Sequence, residues 1–208
     1  MGDDSVTSSA PPRLVLDWDG TCTEVDSLHM VLERFGDPEV YGRVERELLA
    51  GRMSYRELME TEFATVRAPL DEVVAFLLAE ARLRAGFHAL AAAHTPLILS
   101  SGFRLLIEPL LAREGVQLEL RANGIEPRAD GWVVCWRDEA ACAVCGDHCK
   151  RSGLPAGDFV FVGDGYSDRC AARAAVRVFA RDGLAAYLAE ENHPFEPFDD
   201  LFDVLRAL

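Results

Sequence analysis

Three short apolar runs, Leu14-Val15-Leu16, Leu97-Ile98-Leu99 and Phe159-Val160-Phe161-Val162, constrain the fold more than any other feature of the chain. Their hydrophobicity is continuous instead of alternating, which suits strands buried on both faces of a parallel sheet. A fourth run, Val176 to Ala180, is interrupted by Arg177. Helix-period segments follow the second run (Leu105 to Ala112) and the third (Ala171 to Ala175). Strand alternating with helix predicts an α/β fold, a doubly wound (Rossmann-like) parallel sheet. Farther on, "EPRADGWVVCW" sets Asp130-Gly131 between apolar stretches and reads as a β-hairpin. The tail after Arg181 reads as helix, with Phe195, Phe198, Leu201 and Phe202 on the core.

Between the first two runs the pattern is helical. Asp37-Pro38 reads as an N-cap with proline at the first helical position, opening a helix through Leu49. Ser54-Tyr55-Arg56-Glu57 fits a capping box whose helix continues through Leu58, Phe63 and Val66, and Leu70 to Leu83 is a further amphipathic stretch. The expected organisation is a disordered tail (1–12), an α/β core (13–25 and 87–208) and a small helical cap (26–86) inserted after the first strand. An insertion leaving from a strand end at a site is expected to act as a lid.

Open parallel sheets bind ligands just beyond the carboxyl ends of their strands. Here the first run ends in Asp17-Trp18-Asp19-Gly20-Thr21, the second in Ser100-Ser101-Gly102 and the third in Gly163-Asp164-Gly165-Tyr166-Ser167-Asp168. Four carboxylates on one edge must be protonated, spread apart or neutralised by a cation. Oxygen donors without histidine or cysteine suit a hard ion, Mg2+ in particular. An EF-hand is excluded because Cys22 stands where that loop requires glycine, and Walker or dinucleotide loops are excluded because the turn after the first run is acidic.

Asp plus Glu number 35 against 21 Lys plus Arg, a formal net charge of -14. That field argues against nucleic acid or an anionic membrane as partner, and it repels a phosphorylated metabolite unless metal and basic groups reverse the sign locally. The start, "MGDDSVTSSAPPR", has neither a basic n-region nor an apolar h-region, so the expected location is cytoplasmic, with reduced cysteines. Nothing in the sequence sets an oligomeric state.

Taken together, "DWDGT", "LILSS", Lys150 in "GDHCKRSG" and "GDGYSD" resemble the four motifs of the haloacid dehalogenase (HAD) superfamily of phosphohydrolases. The resemblance runs from Leu14 to about Phe202, and the helical insertion places it with the phosphoserine-phosphatase-like subgroup. "CAVCGDHCK", "RANGIE" and "VFARDGLAAYLAEENHPFEPF" look most like methionine-salvage phosphatases. Phosphocholine/phosphoethanolamine phosphatases are also similar around the cysteine–lysine stretch. Ser101 departs from the subgroup's usual glycine, Trp18 from its phenylalanine, and Tyr166-Ser167 from the usual spacer.

The resemblance implies a Mg2+-dependent phosphomonoester hydrolase for a small phosphorylated metabolite. In it Asp17 is the nucleophile that forms an aspartyl-phosphate, and Asp19 the general acid and base. Ser100, Ser101, Gly102 and Lys150 bind the phosphoryl group. Asp17, Asp164 and the backbone carbonyl of Trp18 hold Mg2+, with the Asp19 carbonyl the less favoured backbone donor and Asp168 orienting the shell. Asp26, Arg52 and Arg56 are the candidates for substrate choice. A non-catalytic phospho-ligand-binding protein is the alternative from another class, and the presence of every residue the chemistry requires argues against it.

Cys142-x2-Cys145-x3-Cys149, with Cys135 upstream and His148 adjacent, resembles half of a zinc site. With one pair and scattered partners, the expectation is reduced structural thiols, with a redox switch acting on Lys150 through Cys149 the weaker alternative. Cys22 and Cys170, beside motifs, are expected as small packing residues.

Overall fold

β1 (Arg13–Leu16) lies at the centre of the sheet, between β2 (Leu97–Phe103) and β5 (Phe159–Gly163), and pairs in parallel with both. The molecule is a computed structural model in which residues 11–208 are described, so the expected disordered tail falls almost wholly outside the described residues. Outward from the centre, one side adds β3 (Glu119–Glu126) and β4 (Val133–Cys135), the other β6 (Arg177–Ala180) and the two-residue β7 (Glu196–Pro197). Among the described residues this makes a seven-stranded sheet, parallel throughout except for the β3–β4 hairpin. The fold is the α/β, doubly wound one that the apolar runs predict.

The continuous runs are buried on both faces because each face has its own cover. Leu14, Leu16, Ile98, Val160 and Val162 join one apolar cluster; Val15, Leu97, Leu99, Phe159 and Phe161 join the other. This is the strand period of two at work. The second cluster is closed by α7 (Arg169–Ala172) and α8 (Asp182–Glu190) through Ala171, Leu184 and Leu188. On the first face α5 (Phe87–His94), α6 (Arg104–Arg113) and α9 (Leu201–Ala207) contribute Phe87, Ile107 and Val204.

Residues 26–86 supply α1 (Ser27–Phe35), α2 (Pro38–Leu49), α3 (Tyr55–Phe63) and α4 (Leu70–Glu80). Their caps form as the sequence specifies. Asp37 accepts from the Glu39 and Val40 amides, and the Ser54/Glu57 capping box is complete. Val31, Leu58, Phe63 and Val73 of these helices belong to the same cluster as one face of the sheet. Phe63 meets Phe103 edge to face at 4.6 Å. The hairpin tip also grips the insertion, since the Trp132 N–H donates to the Phe63 and Val66 carbonyls (both 3.1 Å) and its indole to Ala68 (3.0 Å). The chain leaves and re-enters the core through two strands of linker that pair antiparallel at Thr23 and Leu83.

Several elements differ from expectation. α4 stops at Glu80, where extended Ala81 starts the return linker, so Leu83 is not helical. α7 is a single turn, preceded by a 3-10 turn over Tyr166–Asp168. The tail after Arg181 is two helices separated by β7, and Phe202 is 41% exposed while Phe198 and Leu201 are buried. No described helix is long and apolar enough to cross a membrane.

Candidate active site

The carboxyl ends of β1, β2 and β5 meet at one edge, and with them come the acidic, hydroxylic and glycine-rich stretches. Asp17 prolongs β1, its N–H donating to the Val162 carbonyl at 2.9 Å. Its Oδ1 accepts from the Trp18 N–H at 2.6 Å and from the ammonium of Lys150. Lys150 stands in a 3-10 turn (Lys150–Gly153) and is 2% exposed. Its Nζ also donates to Asp168 Oδ1 at 2.6 Å. The other oxygen of Asp168 accepts from the Asp164 and Gly165 amides at 3.0 and 2.9 Å, which fixes the turn carrying Asp164.

Asp19 faces the same space from the other side. The Ser27 hydroxyl donates to its Oδ1, and the Ser100 hydroxyl to its Oδ2 at 3.2 Å. Two glycines make the approach possible. A Cβ at Gly102 would lie 2.7 Å from Asp19 Oδ2, and one at Gly20, whose φ is +77°, would lie 2.4 Å from Asp164 Oδ2. The chain turns there as only glycine does without strain.

Carboxylate oxygens of Asp17, Asp164 and Asp168 all lie within 4.8 Å of one another, with one ammonium to offset them. The cost shows in their proton affinity. Burial first, then the neighbouring Asp168, pushes Asp17 well above the usual carboxylate range, and Lys150 only partly reverses this. Asp164 is pushed up to about 7 by the same two causes. Asp19 is pushed up to about 7 by burial and then by Asp26. For Lys150, burial favours the neutral amine, but Asp168 and Asp17 outweigh it and hold the ammonium. A hard divalent cation fits this surplus of negative oxygen, and Asp17 and Asp164 with Asp168 behind them are the residues that could hold it.

The backbone donor needs correction. The Trp18 carbonyl already accepts from the Cys22 N–H (2.9 Å), the Thr23 N–H (3.1 Å) and the Thr23 hydroxyl (3.2 Å), so it has no lone pair left for an ion. Among the described residues no donor engages the Asp19 carbonyl. The substrate candidates also divide. Asp26 caps α1 and lines the cavity over the carboxylates. Ser101 and Gly102 line it too. Arg52 does not: it is exposed and forks onto Glu47. Arg56 lies across the Trp136 ring and is bonded to Glu60 and His148, outside that cavity.

Arg84 is a residue beside the site that motif reading misses. Its guanidinium, buried at the return linker, donates to the carbonyls of Gly20, Thr21, Thr23 and Glu24, and to that of Asp199. It ties down the loop that carries Asp19. A lone arginine before Gly86 gives no periodic signal; only the pairing of the two linkers brings it there.

Among the cysteines, Cys135 sits exposed on β4 opposite Gly124, apart from the others. Cys170 is buried, as expected of a packing residue, and its sulfur also lies with those of Cys142, Cys145 and Cys149.

Comparison with known proteins agrees with this geometry. The family model for haloacid dehalogenase-like hydrolases matches residues 14–173. A 2-hydroxy-3-keto-5-methylthiopentenyl-1-phosphate phosphatase of Geobacillus thermodenitrificans is 31% identical, over 94% of each chain. A Bacillus cereus protein of that name is 30% identical over 94% of this chain and 96% of its own. Among solved structures, a phospho-aspartyl intermediate analogue of phosphoserine phosphatase superposes with a TM-score of 0.70 at 16% identity, covering 95% of this chain and 99% of that one. A substrate-bound phosphoserine phosphatase does so with a TM-score of 0.70 at 15% identity, covering 96% and 100%. The chain therefore belongs to the haloacid dehalogenase-like hydrolases, and its class is that of the phosphoric monoester hydrolases.

Proposed function

We propose that the protein is a Mg2+-dependent phosphatase of a small phosphorylated metabolite, working through an aspartyl-phosphate on Asp17. The observation that carries the reading is the pair of differently held carboxylates. Asp17 is charge-paired with Lys150, while Asp19, two residues on, is held by Ser27 and Ser100 and pushed up to about 7.

The carboxylate of Asp17 attacks phosphorus, and the bond from phosphorus to the leaving oxygen breaks. Asp19, retaining a proton near neutrality, gives it to that oxygen. As a carboxylate it then takes a proton from the water that attacks the acyl phosphate, which frees phosphate and restores Asp17. Ser100 and Lys150 bind phosphoryl oxygens, and the Lys150 ammonium also screens the nucleophile from the incoming anion. Asp17, Asp164 and the Asp19 carbonyl would hold Mg2+, with Asp168 fixing the Asp164 turn, and the ion would neutralise phosphoryl charge. The helical insertion covers the site as a lid. Six free thiols suit a reducing compartment, the cytoplasm.

For the substrate, the lining of the cavity, about 170 Å³, is informative. Among the described residues Lys150 is the one cation in it, and its walls are Leu28, Leu48, Leu58, Tyr55 and Tyr166 with Asp26 and Glu45. A substrate carboxylate would meet like charge there. The lining suits an uncharged, partly apolar tail such as that of 2-hydroxy-3-keto-5-methylthiopentenyl-1-phosphate. Asp26 and Glu45 favour as second reading a cationic tail, that of phosphocholine or phosphoethanolamine. Initial rates on these three esters and phosphoserine decide between them. The salvage ester is expected to lead in kcat/KM and phosphoserine to trail by at least ~100-fold, about 2.7 kcal/mol. Phosphoserine as the best substrate would sink the reading of the cavity.

A further inference from the structure

We propose that Cys142, Cys145, Cys149 and Cys170 form a tetrahedral thiolate site for one Zn2+, which staples the loop leading to Lys150 onto the helix that follows Asp168. The four Sγ atoms all lie within 4.8 Å of one another, and those of Cys142 and Cys170 are 3.9 Å apart. Zn–S arms of ~2.3 Å set at tetrahedral angles give an edge of about 3.8 Å. The four sulfurs are thus already spaced as the corners of a single-ion site. They are too close for the cysteines of a cubane cluster, which its irons and sulfides hold farther apart. They are also unbonded to one another, since every cysteine is a free thiol.

The local backbone has the form of a metal-binding knuckle. In Cys142-Ala143-Val144-Cys145-Gly146 the Val144 N–H points at Cys142 Sγ (3.4 Å), and the Gly146 N–H closes the turn on the Cys142 carbonyl (2.8 Å). Gly146 sits at φ +76°, which favours glycine. An amide directed at sulfur stabilises thiolate and not thiol. His148 is not part of the cluster: neither of its ring nitrogens lies with the four sulfurs.

Charge supports the same conclusion. Zn2+ with four thiolates carries a net double negative charge and needs cations around it. Arg151 Nη1 lies 3.9 Å from Cys170 Sγ and donates to its carbonyl at 3.2 Å. Arg169 and Arg173 line the same cavity. Arg169 Nε is buried without a partner. Arg173 is paired with Glu191 at 3.1 Å and Arg169 stacks on Tyr166 and Tyr187, so Arg151 is the cation in direct contact with the cluster, and the other two add positive field around a zinc tetrathiolate.

The site also answers a structural need. Residues 136–149 contain no strand or helix, yet they lead directly into Lys150, which has to be held to a fraction of an ångström. Cys149 precedes Lys150, and Cys170 lies two residues after Asp168, the lysine's partner. The same loop receives α3 of the insertion, through the Tyr55 N–H on Asp147 Oδ2 at 2.8 Å. One ion bound by soft thiolates would hold all three segments, and it would not compete with the oxygen site for Mg2+.

The test uses the full chain, purified anaerobically without chelator. Elemental analysis is expected to find about one zinc per chain. Cobalt exchanged for it should show thiolate-to-metal charge transfer and the visible bands of a tetrahedral all-sulfur site. Cys145→Ser and Cys170→Ser are expected to lower zinc at least ~10-fold, while Cys135→Ser keeps it. The cobalt spectrum needs no variant, so a misfolded variant leaves the test intact. The proposal is overturned by less than ~0.1 zinc per chain after reduction and zinc reconstitution, with the four thiols freely titratable. Iron with acid-labile sulfide, a cobalt spectrum of oxygen ligands, or zinc lost equally in Cys135→Ser would overturn it too.

Discussion

Two clusters of ligand-like side chains flank the same pair of segments, and they differ in almost every physical respect. On one side of Lys150 and Asp168 are carboxylates, carried on or just after the ends of β1 and β5 and crowded around one ammonium. On the other are thiols, carried by an irregular loop and one turn of helix and ringed by arginines. In the oxygen cluster burial, and then the neighbouring carboxylate of Asp168, pushes Asp17 and Asp164 up; the sulfur cluster has Arg151, Arg169 and Arg173 in its surroundings. Rigid strand ends place the carboxylates, whereas three of the four thiols lie where the chain has no regular structure to hold it.

The largest effect separates the two clusters most sharply. Asp17→Asn removes the nucleophile and nothing from the core, so turnover of any phosphomonoester is expected to fall at least ~10⁴-fold. The melting temperature should hold or rise, because one of four crowded carboxylates has gone. Metal bound by the thiols should be unchanged. Residual hydrolysis of an aryl phosphate near the wild-type rate would remove Asp17 from the mechanism.

Next in size is chelation. Brief EDTA treatment is expected to lower activity by ~10³-fold, and added Mg2+ to restore it, since oxygen-held Mg2+ exchanges freely and several kcal/mol of charge stabilisation leave with it. Metal analysis of the same sample should find the thiol-held ion still in place. Rescue by zinc and not by magnesium would assign the activity to the wrong cluster.

Much of the oxygen cluster was legible because strand period and strand ends are local properties. Continuous apolar runs specify buried parallel strands, and whatever follows them arrives at one edge. Asp17, Asp19, Ser100 and Asp164 needed nothing more. The Trp18 carbonyl was misjudged because its role depends on the turn beyond it, where Cys22 and Thr23 take both lone pairs. Arg52, a candidate for substrate choice, pairs instead with Glu47, because sequence does not say which partner an exposed charged side chain finds. The sulfur cluster was half legible. Three cysteines share a spacing, but Cys170 joins them only because β5 and the turn after it set the start of α7 against the loop. Cys135, upstream in sequence, is held apart by its strand pairing with β3.

Arg84 probes how the oxygen cluster is supported without a ligand of its own. Arg84→Met keeps much of the side chain's bulk but leaves the Gly20, Thr21, Thr23 and Glu24 carbonyls without their donor. A loss of about 2–4 kcal/mol of stability is expected in urea unfolding, with kcat down ~10–100-fold as Asp19 drifts. Unchanged kcat with lost stability would show that the arginine supports the fold alone.

The smallest effect concerns a buried carboxyl that has no counter-cation among the described residues. Glu62 of α3 is 3% exposed, its Oε1 has no partner, and burial followed by Glu45 and Asp26 pushes it up to about 8. Between its ordinary value of 4.5 and about 8 the folded protein keeps a proton that the unfolded chain releases. Stability is therefore complete below that window and lost as pH rises through it. Glu62→Gln removes the titration while keeping the shape. It should melt at the same temperature as wild type near pH 5 and be more stable by about 1–3 kcal/mol above pH 8, with kcat unchanged at both. A constant difference across that range would mean Glu62 finds a cation, or water, and that a buried carboxylate here needs no Lys150 to be tolerated.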